Sequence, residues 1–74
     1  MTYTTEDRAR VSTGDRAYNY YDMAPGTIGR DRGEGWFDFE HDDGKVSMLN
    51  GQRICSTEYA IKRGFRGAQE GATT

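Results

Sequence analysis

Gly35-Trp36-Phe37-Asp38-Phe39-Glu40-His41-Asp42-Asp43-Gly44-Lys45-Val46-Ser47-Met48-Leu49 decides the fold. Its first half alternates between two kinds of side chain, and an alternation of period two sends successive residues to opposite faces of a strand. Asp43-Gly44 then interrupts the run, and Asn50-Gly51 follows the second, partly alternating half. Both dipeptides favour tight hairpin turns, because glycine enters the left-handed backbone region without a Cβ clash. The centre of the chain is therefore expected to be an antiparallel hairpin, Trp36 to His41 against Lys45 to Leu49, running into a further turn.

Working outward, Arg16-Ala17-Tyr18-Asn19-Tyr20-Tyr21 is rich in aromatic residues and suits a strand. Pro25-Gly26 fits the central positions of a type II turn, with a short strand resuming at Thr27-Ile28-Gly29-Arg30. Asp31 to Gly35 reads as a polar loop, and Arg53-Ile54-Cys55 as a fifth short strand. Ser56 or Thr57 can cap a helical turn over Tyr59 to Arg63, with Gly64 closing it. Five short strands in so small a chain are expected to curl until their edges nearly meet, which buries one face and limits open edges. The expected class is thus mostly β, a small five-stranded barrel with a short C-terminal helical turn. Residues 12–66 form that domain, between a flexible N-terminus (residues 1–11) and a flexible tail (residues 67–74).

Gly14-Asp15-Arg16-Ala17, Pro25-Gly26-Thr27-Ile28 and Phe37-x-Phe39-x-His41-Asp42-Asp43-Gly44-Lys45 together resemble SH3-like small barrels of the KOW and Tudor kind, over about residues 14–55. The chain departs from that pattern at Ala17 and Asn19, where such barrels usually carry larger aliphatics, and at His41, where they usually carry an apolar residue. The resemblance implies a binding module. Barrels of this shape take RNA, DNA, ribosomal parts, modified peptides or protein tails, so the fold does not select among them.

Composition narrows the function classes. Seventy-four residues, 34% hydrophobic and 30% charged, make one domain with a thin core. A filled small barrel offers no deep pocket, so catalysis is not expected. Cys55 is the only cysteine and His41 the only histidine, which leaves no C-x-x-C motif and no second thiol for a disulfide. No cofactor and no metal are expected. With no apolar run long enough to cross a membrane, a cytoplasmic protein without membrane contact is expected. The net charge of −2 conceals a dipole. Residues 1–44 carry ten acids and five bases, residues 45–66 carry five bases and Glu58, and Glu70 completes the count.

Two surfaces follow as candidates. If Phe37, Phe39 and His41 point inward, Trp36, Asp38 and Glu40 point outward. If Ala17 and Asn19 also point inward, Tyr18 and Tyr20 join them outside, while the opposite parity sends both tyrosines to the core. The set Tyr18, Tyr20, Trp36, Asp38 and Glu40 pairs aromatic anchors with an acidic rim, the composition of a protein-binding surface. The competing class is nucleic-acid binding, with Arg53, Lys62, Arg63 and Arg66 on phosphates and Phe65 against a base. Size and composition suit a bacterial or phage accessory protein that binds another protein. Its expected state is a monomer or a weak homodimer formed through an unpaired strand edge.

Overall fold

A computed structural model describes residues 2–68. The chain is mostly β, as expected. The described residues form six strands in two antiparallel sheets and one short helix, and they do not close into the five-stranded barrel. β1 (Thr2–Thr4) and β2 (Arg10–Ser12) form a two-stranded hairpin. β3 (Arg16–Asn19), β4 (Ala24–Gly33), β5 (Trp36–His41) and β6 (Val46–Asn50) form a four-stranded meander, followed by a 3-10 turn (Gly51–Arg53) and α1 (Thr57–Arg63).

The central hairpin lies where its alternation put it. Phe37, Phe39 and His41 are buried, and Trp36 and Glu40 are exposed. The Asp42-Asp43-Gly44 loop is three residues long, with Gly44 at φ 99°. It is closed by the His41 amide donating to the Lys45 carbonyl (2.8 Å) and the Gly44 amide to the His41 carbonyl (2.9 Å).

The Pro25-Gly26 turn is not present. Both residues lie inside β4, where Pro25 faces Tyr18 and Gly26 faces Ala17. A proline in a strand is costly when its missing N–H should serve the ladder. Here Tyr18 directs its N–H and carbonyl the other way, to Cys55 (2.9 and 2.8 Å), so Pro25 faces a position that asks for no donor. The reversal comes earlier, over residues 20–23. The Asn19 side chain accepts from the amides of Tyr21 (3.0 Å) and Asp22 (3.2 Å), and Met23 takes the left-handed conformation. The loop expected at Asp31 to Gly35 shrinks to the Glu34-Gly35 turn, because β4 runs on through two register shifts to Gly33.

The N-terminus, expected to be flexible, supplies part of the core. Tyr3 and Val11 are buried with Ala17, Ile28, Phe37, Phe39, Leu49 and Ile54 on the inner face of the large sheet. Tyr3 packs against Phe37, the ring centroids 4.4 Å apart and the planes tilted by 49°, and donates its hydroxyl to Asp31 (2.7 Å). A thin core of few aliphatics gains from one more aromatic ring, which is why these residues order. Gly51 makes that docking possible, since a Cβ there would run into the Thr4 carbonyl.

A second apolar cluster lies on the outer face, where Tyr18, Cys55, Ala60 and Ala68 are buried, with Tyr20, Ile61 and Phe65 packed against them. Ser56 caps α1 by accepting from the Tyr59 amide (3.0 Å), and Gly64 closes it at φ 74°. Both fall where the sequence placed them. Ala68, at the start of the expected tail, is buried; the rest of that tail, residues 69–74, lies outside the described residues.

Candidate functional site: a half-roofed sheet face

Arg16 and Tyr18 of β3, Thr27 of β4, and Trp36, Asp38 and Glu40 of β5 share the outer face of the large sheet, by the register that pairs Arg16 with Thr27 and Thr27 with Glu40. That face is covered over only half its width. Over β3, α1 and the turn after it form a roof. Tyr18 is 1% exposed, its ring stacks with Phe65 at 5.6 Å, and its hydroxyl donates to the Arg66 carbonyl (2.5 Å). Over β5 and β6 there is no roof among the described residues.

The open half has an apolar strip at its edge. Trp36 is 37% exposed, and Val46 and Met48 are 57% exposed, placed by pairings of Glu40 with Val46, Asp38 with Met48 and Trp36 with Asn50. Beside the strip Asp38 is held in place by an arginine. Arg32 donates Nε and Nη2 to the two carboxylate oxygens of Asp38 (3.0 and 3.1 Å). Arg16 holds Asp42 the same way (2.6 and 2.7 Å), and the Arg16 hydrogen bonds keep the Asp42 carboxyl below the usual carboxylate range. Glu40 lies along Gly29, where a Cβ would sit 2.8 Å from its Oε2.

Of the five residues expected to form one protein-binding surface, the structure brings Trp36, Asp38 and Glu40 together. Tyr18 is corrected to the core. Both parities of β3 are in fact buried, Ala17 under the N-terminal hairpin and Tyr18 under the C-terminal roof, so neither reading of the tyrosines was complete. Tyr20 is half-buried beside that roof. It lines a separate cleft of about 260 Å³ with Glu6, Asp7, Cys55, Tyr59 and Phe65, and its hydroxyl donates to the Gln52 carbonyl. The sequence reading missed Val46 and Met48. The signal for them was present, because the hairpin register that turns Leu49 inward turns both of them outward.

The basic set is spread over the 3-10 turn, α1 and the turn after it. Arg53 lies over Tyr21 at 4.6 Å, and Arg63 over Tyr59 at 5.7 Å. Lys62 and Arg63 end α1, where they face the negative end of the helix dipole. Phe65, read as an exposed stacking ring, is turned against Tyr18 and Tyr59. Arg66 is exposed, but its backbone carbonyl is taken by Tyr18.

His41 and Cys55 have structural work. The Lys45 carbonyl can only accept, so His41 donates to it from Nδ1 (2.9 Å), and Nε2 then accepts from the buried Asn19 amide (3.1 Å). These two buried polar side chains thus satisfy each other. Burial, and after it the charge of Asp7, pushes the Cys55 thiol up to about 11, so no reactive thiolate forms near neutral pH. Among the described residues no three His, Cys, Asp or Glu side chains converge as metal ligands, and no helix is long and apolar enough to cross a membrane. No family model, no curated protein and no solved structure matches the chain.

Proposed function

We propose that this chain is a small non-catalytic module that binds another protein through the open half of its outer sheet face. The observation that carries the proposal is the exposed strip of Trp36, Val46 and Met48 beside the arginine-held carboxylate of Asp38 and the exposed carboxylate of Glu40. Apolar side chains at the centre with charged groups around them are the composition of interface hot spots. Asp38 is already oriented by Arg32, so a partner's basic group meets a carboxylate that loses little freedom on binding. An SH3-like kinship is part of the same reading. It is supported by the meander order of β3 to β6, the 3-10 turn that follows, and the return of the chain to β3 at Cys55.

The test is a pull-down from a lysate of the source cell, split into nuclease-treated and untreated halves, with wild type and an Asp38→Lys, Glu40→Lys double variant as baits. A protein retained in both halves by wild type and lost by the variant is the expected result. Recovery of nucleic acid in the untreated half alone, unchanged in the variant, would overturn the proposal in favour of the basic residues.

A further inference from the structure

The two edges of the large sheet are finished differently. β3 exchanges backbone hydrogen bonds with Cys55, whereas among the described residues no backbone group reaches the outer edge of β6. From this edge we infer that β6 pairs antiparallel with β6 of a second copy of the chain, about a two-fold axis at Met48. The inference uses the edge of the sheet and not the face assigned above to a partner, so it stands if that assignment fails.

The register follows from the ladder. The His41 amide donates to Lys45, which makes that pair a hydrogen-bonded one. Hydrogen-bonded and non-hydrogen-bonded pairs alternate along an antiparallel ladder. Phe39–Ser47 and Phe37–Leu49 are then hydrogen-bonded pairs, while Glu40–Val46, Asp38–Met48 and Trp36–Asn50 are not. Val46, Met48 and Asn50 therefore direct their N–H and carbonyl groups away from β5. A two-fold axis at Met48 sets Met48 opposite itself and Val46 opposite Asn50, so all three residues of each copy meet residues with outward-pointing groups. The same register keeps inward side chains on the inner face, with Ser47 opposite Leu49.

Nothing in the strand opposes such pairing. Residues 46–50 hold no charge and no proline, and β6 pairs with β5 without a register shift, so the usual devices that blunt an edge are missing. Charge is compatible as well. At about 4.8 Å per strand, Asp38 and its symmetry mate lie three strand spacings apart, roughly 14 Å, which exceeds the Debye length of about 8 Å at physiological salt. A cleft of about 360 Å³ between β1 and the end of β6 leaves room beside Asn50. The exposed Val46 and Met48 would join those of the second copy in one apolar strip across the axis.

Area sets the strength. A standard stable interface takes about 800 Å² from each partner, about one sixth of the 4840 Å² this chain exposes. One five-residue strand pair covers less, so the dimer is weak and depends on concentration, with Kd on the order of 10 µM to 1 mM.

Sedimentation equilibrium from about 1 µM to about 1 mM tests it. The expected result is a mass rising from one chain toward two, a rise abolished by Met48→Lys, which sets two like charges side by side across the axis. The urea midpoint of that variant, read at the dilute end, should match wild type because Met48 is exposed. Oxidation with oxidised glutathione tests the register. Met48→Cys should link two chains, because the Cα atoms of such a pair stand about 5.5 Å apart, within disulfide range. Val46→Cys should not, because four residues of offset hold its sulfurs roughly 14 Å apart. A single chain at about 1 mM would overturn the inference, as would association undiminished in Met48→Lys or equal linking by the two cysteine variants. Slow amide exchange at Val46, Met48 and Asn50 in a chain that stays monomeric would overturn it too, by placing part of the same chain on that edge.

Discussion

β3 and β6 bound the same sheet and are treated in opposite ways. β3 is buried on both faces from Ala17 to Asn19, and its edge is bonded at Tyr18. Ala17 lies under the N-terminal hairpin, Tyr18 under α1 and Phe65, and Cys55 bonds the Tyr18 backbone. β6 buries only Leu49 well and leaves Val46 and Met48 in water. A chain with 34% hydrophobic residues cannot cover every side of a four-stranded sheet. It has concentrated its cover on one end, and the end left open is where association is cheapest. The contrast separates residues that hold the fold from residues free to serve a partner.

The largest effect is expected where cover is most complete. Tyr18→Ala removes a ring buried between the sheet and Phe65 and strands the Arg66 carbonyl, at a cost of about 4 kcal/mol. A domain of this size commands about 4 to 11 kcal/mol in all, so urea unfolding should find the variant barely folded. Tyr18→Phe keeps the packing and loses one hydrogen bond, about 1 kcal/mol. A Tyr18→Ala cost below about 1 kcal/mol would mean that the roof over β3 is dispensable and the two ends of the sheet are alike.

A smaller effect tests how the segment that covers the β3 edge is held. The Ser56 amide and hydroxyl donate to the two oxygens of Asp7 (2.9 and 2.7 Å), and the Glu6 amide donates to the Ile54 carbonyl (2.9 Å). The N-terminal loop thus clamps the segment that carries Cys55. Burial opposes ionisation of Asp7, but hydrogen bonds from Thr5 and Ser56 outweigh it and hold the carboxyl below its ordinary value. A carboxyl depressed in the folded state adds stability that is fully present above its ordinary value and is lost as pH falls from there through its lowered folded-state value. Asp7→Asn should therefore cost about 2 kcal/mol at neutral pH. The gap in urea midpoint between the two proteins should narrow as pH falls below the ordinary aspartate value, and a gap unchanged through that fall would show that the clamp does not depend on the charge.

What was legible in the sequence follows the same division. The β5–β6 hairpin could be read because one of its faces is wet, and period two survives only where the faces differ. β3 could not be read that way. Both its faces are covered, so Tyr18 lies in the core as one of the two readings had it, but Ala17 is buried with it instead of facing out. Pro25 looked like a turn because its tolerance in β4 depends on Tyr18 bonding to Cys55, thirty-seven residues further along, which no local rule contains. Tyr3 was passed over because two three-residue strands carry too little periodicity to show. The helix caps Ser56 and Gly64 were legible because capping is local chemistry. Of the candidate site, the outward set Trp36, Asp38 and Glu40 came from one strand's alternation. Val46 and Met48 needed the register as well.

The smallest stability effects belong to the open end, and there the comparison is sharpest. Met48→Ala should cost about 0.5 kcal/mol and Trp36→Ala about 1 kcal/mol, because both side chains are already partly in water and neither leaves a closed cavity. The same two changes remove the apolar centre of the proposed interface, so capture of a protein partner should fall by about tenfold or more. The two readouts move independently only if these residues serve association and not the core. A Trp36→Ala loss of several kcal/mol would place the indole in the core and leave the outer face without its anchor. Unchanged capture with unchanged stability would mean that the strip is merely solvated, and that the partner meets the protein elsewhere.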